Sequence, residues 1–458
     1  MQIGELAQVF ALHPEVDVLA NELSKKRKKH FLLRNLYASA QSIFLYSLSQ
    51  RLANDQHGRP LLIVLDNADD AQYMYADLRT LSNEQGVYFF PTSHRRRQGT
   101  DEAMAVQRTE VLTALVGERQ EAKGERQVII VTYPEALAEE VPAPESLLQQ
   151  TIHLATEQEI AQSTLIKQLV EQHFQRVDFV YEPGQFAVRG GIIDVYSYAH
   201  DNPYRIDFFG DEIDSIREFD IETQLSKERI AAIQIVANQS RDTQSALLTH
   251  YLPEHTLWIS NGFDIIRFKI ANEHISALCD EATTIELAQK SSFSTFDTIH
   301  FDTLPQPSFN KNFDILIDDL RARIRDNYKV YILAEQVKQT DRLRAIFEDK
   351  ESEITFVAIN QTLHNGFVDN DAKICCYTDH QIFERYHRVT LRSENARRGK
   401  AIITLKEINQ LKIGDYVVHT DHGIGQFAGL VTTNFYGRPQ ETIKLTYRDG
   451  DTIFVSIH

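Results

Sequence analysis

Arg189 and Arg205 stand inside apolar, strand-like runs, GQFAVRGGIIDVYSY (residues 184–198) and YRIDFF (residues 204–209), and Phe209 ends the second run. An apolar core disfavours a guanidinium without a partner. A face built for contact favours arginine and aromatic residues, which concentrate binding energy at ~2 kcal/mol or more each. Alternation along the two runs puts Phe186 and Val188 on one side and Gln185, Ala187 and Arg189 on the other. It likewise sets Tyr204, Ile206 and Phe208 against Arg205, Asp207 and Phe209. An intramolecular reading competes, in which Arg205 pairs with Asp207 or Asp220 and Phe209 packs beneath the preceding helix. Alternation alone leaves both open.

Other residue types point to less chemistry. His419 and His422 have the spacing of metal ligands, but no cysteine or clear acidic third ligand lies near them, so no metal site is expected. Cys279 and the adjacent pair Cys375 and Cys376 make neither a disulfide framework nor a zinc set, and read as buried thiols in a reducing cytosol. A phosphate-binding loop would follow the apolar run ending at Leu33, where glycines and Lys-Ser/Thr cradle phosphates at a helix N-terminus. The chain has LRNLYASAQS there (residues 33–42), with Asn35 and Ala38 where glycines would stand, and the pattern G-x-x-x-x-G-K-[ST] occurs nowhere. Gly399-Lys400 is followed by Ala401, which has no hydroxyl for Mg²⁺. No cofactor is expected on this chain, and no ATP hydrolysis.

The elements that must position these residues follow from length and patterning. At 458 residues, 42% hydrophobic and 25% charged, the chain is too long for one core and ordinary for a globular protein. A net charge of −17 argues against a general nucleic-acid surface. The basic runs KKRKKH (residues 25–30) and HRRR (residues 94–97) read as solvated faces, with phosphate patches as the alternative. There is no 18-residue apolar run and no secretory leader, so a cytoplasmic protein without membrane contact is expected. Residues 1 to about 145 alternate short apolar strands with helices, FALHPEVDVLANELSKK among them, implying a parallel sheet covered on both faces. Residues from about 146 to 237 switch to a helix and an antiparallel meander, bent at Gly190-Gly191. The signal weakens over 238–300, returns to αβ alternation over 301–395, and gives way to an arginine-rich linker. The last block is all strand and turn, spaced like a small barrel. It stops at His458 directly after a strand, which reads as a boundary within a longer protein.

The block GQFAVRGGIIDVYSY…NPYRIDFFGDEIDSIREFD resembles bacterial transcription-repair coupling factors and, more distantly, the excinuclease component UvrB, which share this Arg-Gly-x-x-x-Asp strand and Y-R-[IL]-[DE]-F-F hairpin. The block from Ile413-Gly414-Asp415 through Val418-His419 and His422-Gly423-Ile424-Gly425 to Phe427-Ala428-Gly429 resembles the RNA-polymerase-interacting domain of the coupling factors, which UvrB lacks. Leu363-His364-Asn365-Gly366-Phe367 is a smaller match between them. The resemblance implies an α/β multidomain fold. Residues 1–148 and 238–302 would form a UvrB-like domain with a degenerate P-loop, and residues 149–237 an inserted α+β domain. Residues 303–395 would be a second α/β domain, 396–410 a basic linker, and 411–458 a truncated Tudor/CarD-like barrel. In the family the degraded loop typically keeps its glycines; here they are gone.

The implied function is transcription-coupled nucleotide excision repair. The inserted domain would recruit the excinuclease component UvrA through Arg189, Arg205 and Phe209. The last block would offer a strand edge, Leu430, Val431, Thr432, Thr433 and Asn434, to the β subunit of RNA polymerase. ATP, Mg²⁺ and most DNA contact would belong to a translocase motor beyond residue 458, which would also mask the inserted domain until it engages. Two alternatives are a UvrB-like damage-loading ATPase, which needs an intact P-loop, and a plain RNA-polymerase-binding transcription factor.

Overall fold

The runs LLIV, IIVT and LWIS are apolar or small throughout and buried at every position, as strands covered on both faces must be. In the computed structural model they lie side by side in a seven-stranded, all-parallel sheet. Its order is Asp297–His300, His30–Arg34, Thr283–Leu287, Leu257–Ser260, Leu61–Val64, Ile129–Thr132, Val87–Phe89. The structure describes all residues except 1–2, 26–28, 54–58, 94, 97–98, 101, 121–127, 222, 239–244, 351–352, 386–410, 420–421, 436–437, 449 and 457–458. Half of KKRKKH, two residues of HRRR and the basic linker lie outside the described residues. The stretch where sequence signal weakens supplies two central strands of this sheet, Leu257–Ser260 and Thr283–Leu287.

Between the two halves of that sheet the chain makes a separate unit. Helix Gln162–Glu171 packs Leu165 and Leu169 onto a six-stranded, mostly antiparallel sheet. A five-stranded mixed sheet follows, with strands Thr303–Pro305, Phe367–Asp369, Ile374–Thr378, Lys329–Leu333 and Val357–Ile359 in spatial order. Residues 416–456 form a four-stranded antiparallel sheet whose strands neighbour one another in chain order. Among the described residues no helix is long and apolar enough to cross a membrane.

The N-terminal helix differs from its sequence reading. It is two helices, Ile3–Ala11 and Pro14–Ser24, so FALH ends the first instead of opening the second. The break lies at His13, which precedes a proline and takes extended backbone (ψ 126°), because the proline ring disfavours helical geometry in the residue before it. Val16, Leu19, Ala20 and Leu23 are all buried, as their spacing requires. Phe10 meets Phe367 edge-on at 5.6 Å. One hydrophobic cluster therefore runs from the seven-stranded sheet into Tyr331, Leu333, Ile359, Phe367 and Cys376 of the five-stranded one. Cys279, Cys375 and Cys376 are buried free thiols, and burial pushes those of Cys279 and Cys375 up to about 12.

The joint between these sheets is built on the P-loop position. Strand His30–Arg34 leads through residues 35–39 into helix Ala40–Ala53. Asn35 (φ 59°) and Ala38 (φ 54°) both adopt the left-handed backbone that glycine favours, at a cost for Ala38 of roughly 1–2 kcal/mol. The turn thus keeps its shape without its glycines. Asp77, buried, accepts from Ser39 Oγ at 2.6 Å and Ser42 Oγ at 3.0 Å, at the start of that helix. Its other oxygen accepts from the His364 N–H at 2.6 Å, and Ser39 Oγ accepts from the Asn365 N–H at 2.9 Å. The His364 ring stacks on Tyr73, with centroids 3.4 Å apart. Gly366 is required here because a β-carbon would lie 2.0 Å from Gln306 Oε1 and 2.8 Å from the Cys376 carbonyl. The Leu363–Phe367 match is therefore a clamp of one sheet unit on the other.

Burial pushes the Asp77 carboxyl from 3.8 up to about 6, against the lowering effect of its three hydrogen bonds. Since the folded value lies above the unfolded one, the cost of burying the charge is carried in full above pH 6 and is relieved as pH falls from 6 toward 3.8. On this term alone the wild type should gain ~1 kcal/mol between pH 7 and pH 5 relative to Asp77→Asn. Urea unfolding of both proteins at the two pH values checks this. Asp77→Ala, which leaves the Ser39 hydroxyl and the His364 N–H without an acceptor and Ser42 Oγ with only Met74 Sδ, should lower stability by about 2–4 kcal/mol.

Candidate protein-binding face

The six-stranded sheet offers two faces. Phe186, Ile193, Val195, Tyr204, Ile206 and Ile216 point toward helix Gln162–Glu171 and are buried. On the opposite face Ala187, Tyr196, Phe219, Val180 and Ile221 make a smaller cluster, and polar groups cover the rest. Gly190, in the left-handed region (φ 59°), and Gly191 turn the chain between strands Gln185–Arg189 and Ile192–Val195. Register then places Asp194 opposite Arg205, Arg205 opposite Arg217, and Arg217 opposite Arg229, one row across four strands.

Asp194 is the pivot of this row. It has no solvent exposure. Arg205 binds it with both ends of its fork, Nε to Oδ1 at 2.7 Å and Nη2 to Oδ2 at 3.0 Å, the charge-assisted geometry in which arginine is strongest. Arg205 also donates to the Gln224 carbonyl at 3.1 Å and lies 4.7 Å from the Phe219 ring centre. Arg189 donates to the same carboxylate and lies 5.1 Å from the Phe179 ring. Like charges facing across strands repel, yet Arg217 sits opposite Arg205. It is matched separately, pairing with Asp207, which also accepts from Ser215 Oγ at 3.0 Å.

The sequence-derived residues thus divide. Arg189 and Arg205 come together on Asp194, and neither of the carboxylates anticipated for Arg205, Asp207 or Asp220, is its bidentate partner. Arg205 is largely buried, with 14% of its side chain exposed, whereas Arg189 keeps 38%. Phe209 is 81% exposed and is not packed beneath a helix. It stands at the hairpin where Gly210 (φ 66°) turns the chain, after a register shift at Asp207/Phe208. Asp194 had a visible signal, a lone carboxylate in the apolar run IIDVYSY, but its partners lie on two other strands.

In the C-terminal sheet, residues 430–434 lie within the long strand Gly423–Phe435. The first part of that strand pairs with Tyr416–His419 through residues 423–426, and its later part pairs with Arg438–Thr446 on the other side. Pairing with Arg438–Thr446 starts at Gln426 and Phe427 and resumes at Leu430 after a register shift, where Gly429 has φ 104°. Among the described residues no strand pairs with the remaining edge of residues 430–434. His419 Nδ1 accepts from the His422 N–H at 3.3 Å, a turn contact.

Among the described residues one candidate ligand cluster lies elsewhere. His13, Asp369 and Asp371 bring one ligand atom each within 4.8 Å of one another. However, His13 Nδ1 accepts from the Glu15 N–H at 3.3 Å, which puts the ring proton of the neutral imidazole on Nε2. That nitrogen lies 4.0 Å from Asp369 Oδ2, beyond hydrogen-bond distance.

These geometries separate fold from contact. Arg205→Ala should cost about 2 kcal/mol, because the buried Asp194 loses its bidentate bond and keeps only Arg189, while Phe209→Ala should stay within ~0.5 kcal/mol of wild type. Urea denaturation of the two variants reads the difference directly.

Comparison with known proteins agrees with the two specific blocks. Residues 152–240 match the family model of the UvrB interaction domain, and residues 411–458 match that of the CarD-like/TRCF RID domain. The transcription-repair-coupling factor of Bacillus subtilis (strain 168) is 23% identical, over 94% of this chain and 44% of its own length. The protein of the same name from Staphylococcus aureus (strain bovine RF122 / ET3-1) is 23% identical over 88% of this chain and 42% of its own length. The chain therefore spans less than half the length of these relatives. It is similar over most of its length to the transcription-repair-coupling factors, and matches the UvrB interaction domain at residues 152–240 and the CarD-like/TRCF RID domain at residues 411–458.

Proposed function

We propose that this chain is a cytoplasmic recruiting module for transcription-coupled nucleotide excision repair, binding RNA polymerase through residues 411–458 and the excinuclease component UvrA through the face bearing Arg189, Arg205 and Phe209. The observation that carries the reading is Phe209, a phenylalanine 81% exposed on the sheet face that also carries two guanidiniums locked on one carboxylate, within the UvrB interaction domain. A rigid aromatic flanked by arginine is the composition of an interface hot spot. For the polymerase, the unpaired edge of residues 430–434 suits strand addition, in which main-chain bonds supply affinity, and the polymerase β subunit is the partner assigned to it. The nucleotide-loading alternative is disfavoured, because a phosphate at the vestigial loop would meet the Asp77 carboxylate and find Ser39 and Ser42 already bonded. ATP hydrolysis and DNA translocation are assigned to the remainder of a longer parent protein.

Capture of UvrA by the wild-type chain, weakened roughly thirtyfold by Phe209→Ala, is expected, corresponding to ~2 kcal/mol. No binding by the wild type at micromolar concentration, or equal binding by the folded variant, would sink this half of the proposal. Phe209 is the cleaner probe than Arg205, whose loss perturbs the sheet. For polymerase binding, Thr432→Pro and Thr433→Pro form a matched pair. Successive N–H groups of a strand point to opposite sides, so one proline breaks a bond within the sheet and the other an outward donor. The variant that keeps its circular dichroism should lose capture of RNA polymerase; retention would move the contact off this edge.

A further inference from the structure

The ion cluster on the candidate face is not neutral. Asp194 carries one negative charge and holds two guanidiniums, those of Arg189 and Arg205. Asp207, the next carboxylate on the face, is taken by Arg217. The triad of Asp194, Arg189 and Arg205 therefore retains one positive charge. It emerges at the Arg189 end, since Arg205 is also bonded to the Gln224 carbonyl and covered to 14% exposure while Arg189 keeps 38%.

Resting on the binding face proposed above, we infer that Asp194 is a positioning residue of that face: it fixes the forks of Arg189 and Arg205 so that Arg189 presents its surplus positive charge to a carboxylate on the partner protein, on the same sheet face as Phe209. A buried carboxylate suits this role because it cannot relax into water. The bidentate bond sets the plane of Arg205, the ring of Phe219 backs it, and Phe179 backs Arg189. The partner is thus specified by chemistry, an acidic side chain beside an apolar socket. Lysine in place of Arg189 would keep the charge without the fork, and so without the orientation.

The test uses the full chain in two arms. In the first, without partner, arginine modification by phenylglyoxal is followed by mass spectrometry. Asp194→Asn should accelerate labelling of Arg189 and Arg205 several-fold while Arg267 and Arg344 stay unchanged; unchanged labelling at 189 and 205 overturns the positioning role. In the second, affinity for purified UvrA is measured across a salt series. Asp194→Asn should weaken binding about tenfold in the wild-type background and much less in the Arg189→Ala background, the non-additivity of a coupled pair. Arg189→Ala should also flatten the salt dependence, which Phe209→Ala leaves in place. Equal losses from Asp194→Asn in both backgrounds would make Asp194 merely structural. If Asp194→Asn does not fold, Arg189→Lys decides: wild-type affinity in that variant overturns the inference. Accelerated labelling together with no binding by the wild type would leave the positioning role standing and overturn the binding face.

Discussion

A carboxylate buried away from water must be matched where it lies, and two aspartates impose that constraint on this chain. Asp194 gathers arginines from two neighbouring strands and so decides which way the inserted sheet presents its guanidiniums. Asp77 gathers two serine hydroxyls and a backbone N–H from a segment 287 residues distant in sequence, and so decides how the seven- and five-stranded sheets are joined. Each aspartate is an anion placed where donors from different segments converge.

At Asp77 the constraint acts where a strand turns into a helix. A strand, a left-handed turn and a helix N-terminus form a ready anion site, and this chain retains that backbone without glycine or lysine. Instead of an external anion, the site is completed by Asp77 and capped by the His364–Asn365 backbone. A geometry suited to a ligand serves here as an internal joint, and it holds together the platform from which the inserted unit projects.

That insertion follows from how parallel sheets are assembled. Strands Leu257–Ser260 and Thr283–Leu287 occupy the middle of the first sheet, so the chain must return there after building the six-stranded unit. Their sequence signal is faint because they are polar in part, Ser260, Thr283, Thr284 and Glu286 being buried among them. The other central strands, LLIV and IIVT, announce themselves by uniform apolarity. The helix break at His13-Pro14 was also written locally, in the proline, but a helical period running through it concealed the boundary.

The sequence by itself determined the element types, the parallel and antiparallel character of successive blocks, the absence of a glycine-lysine phosphate loop, and the prominence of Arg189, Arg205 and Phe209. These depend on local periodicity and side-chain type, which neighbouring residues express directly. Only the tertiary structure decided that Arg205 is mostly buried on Asp194, that Phe209 is bare, that Arg217 takes Asp207, and that residues 364–365 close the vestigial loop. Alternation tells which residues share a face but not which carboxylate a guanidinium will meet, because that choice is made by strand register and by contacts between segments far apart in the chain.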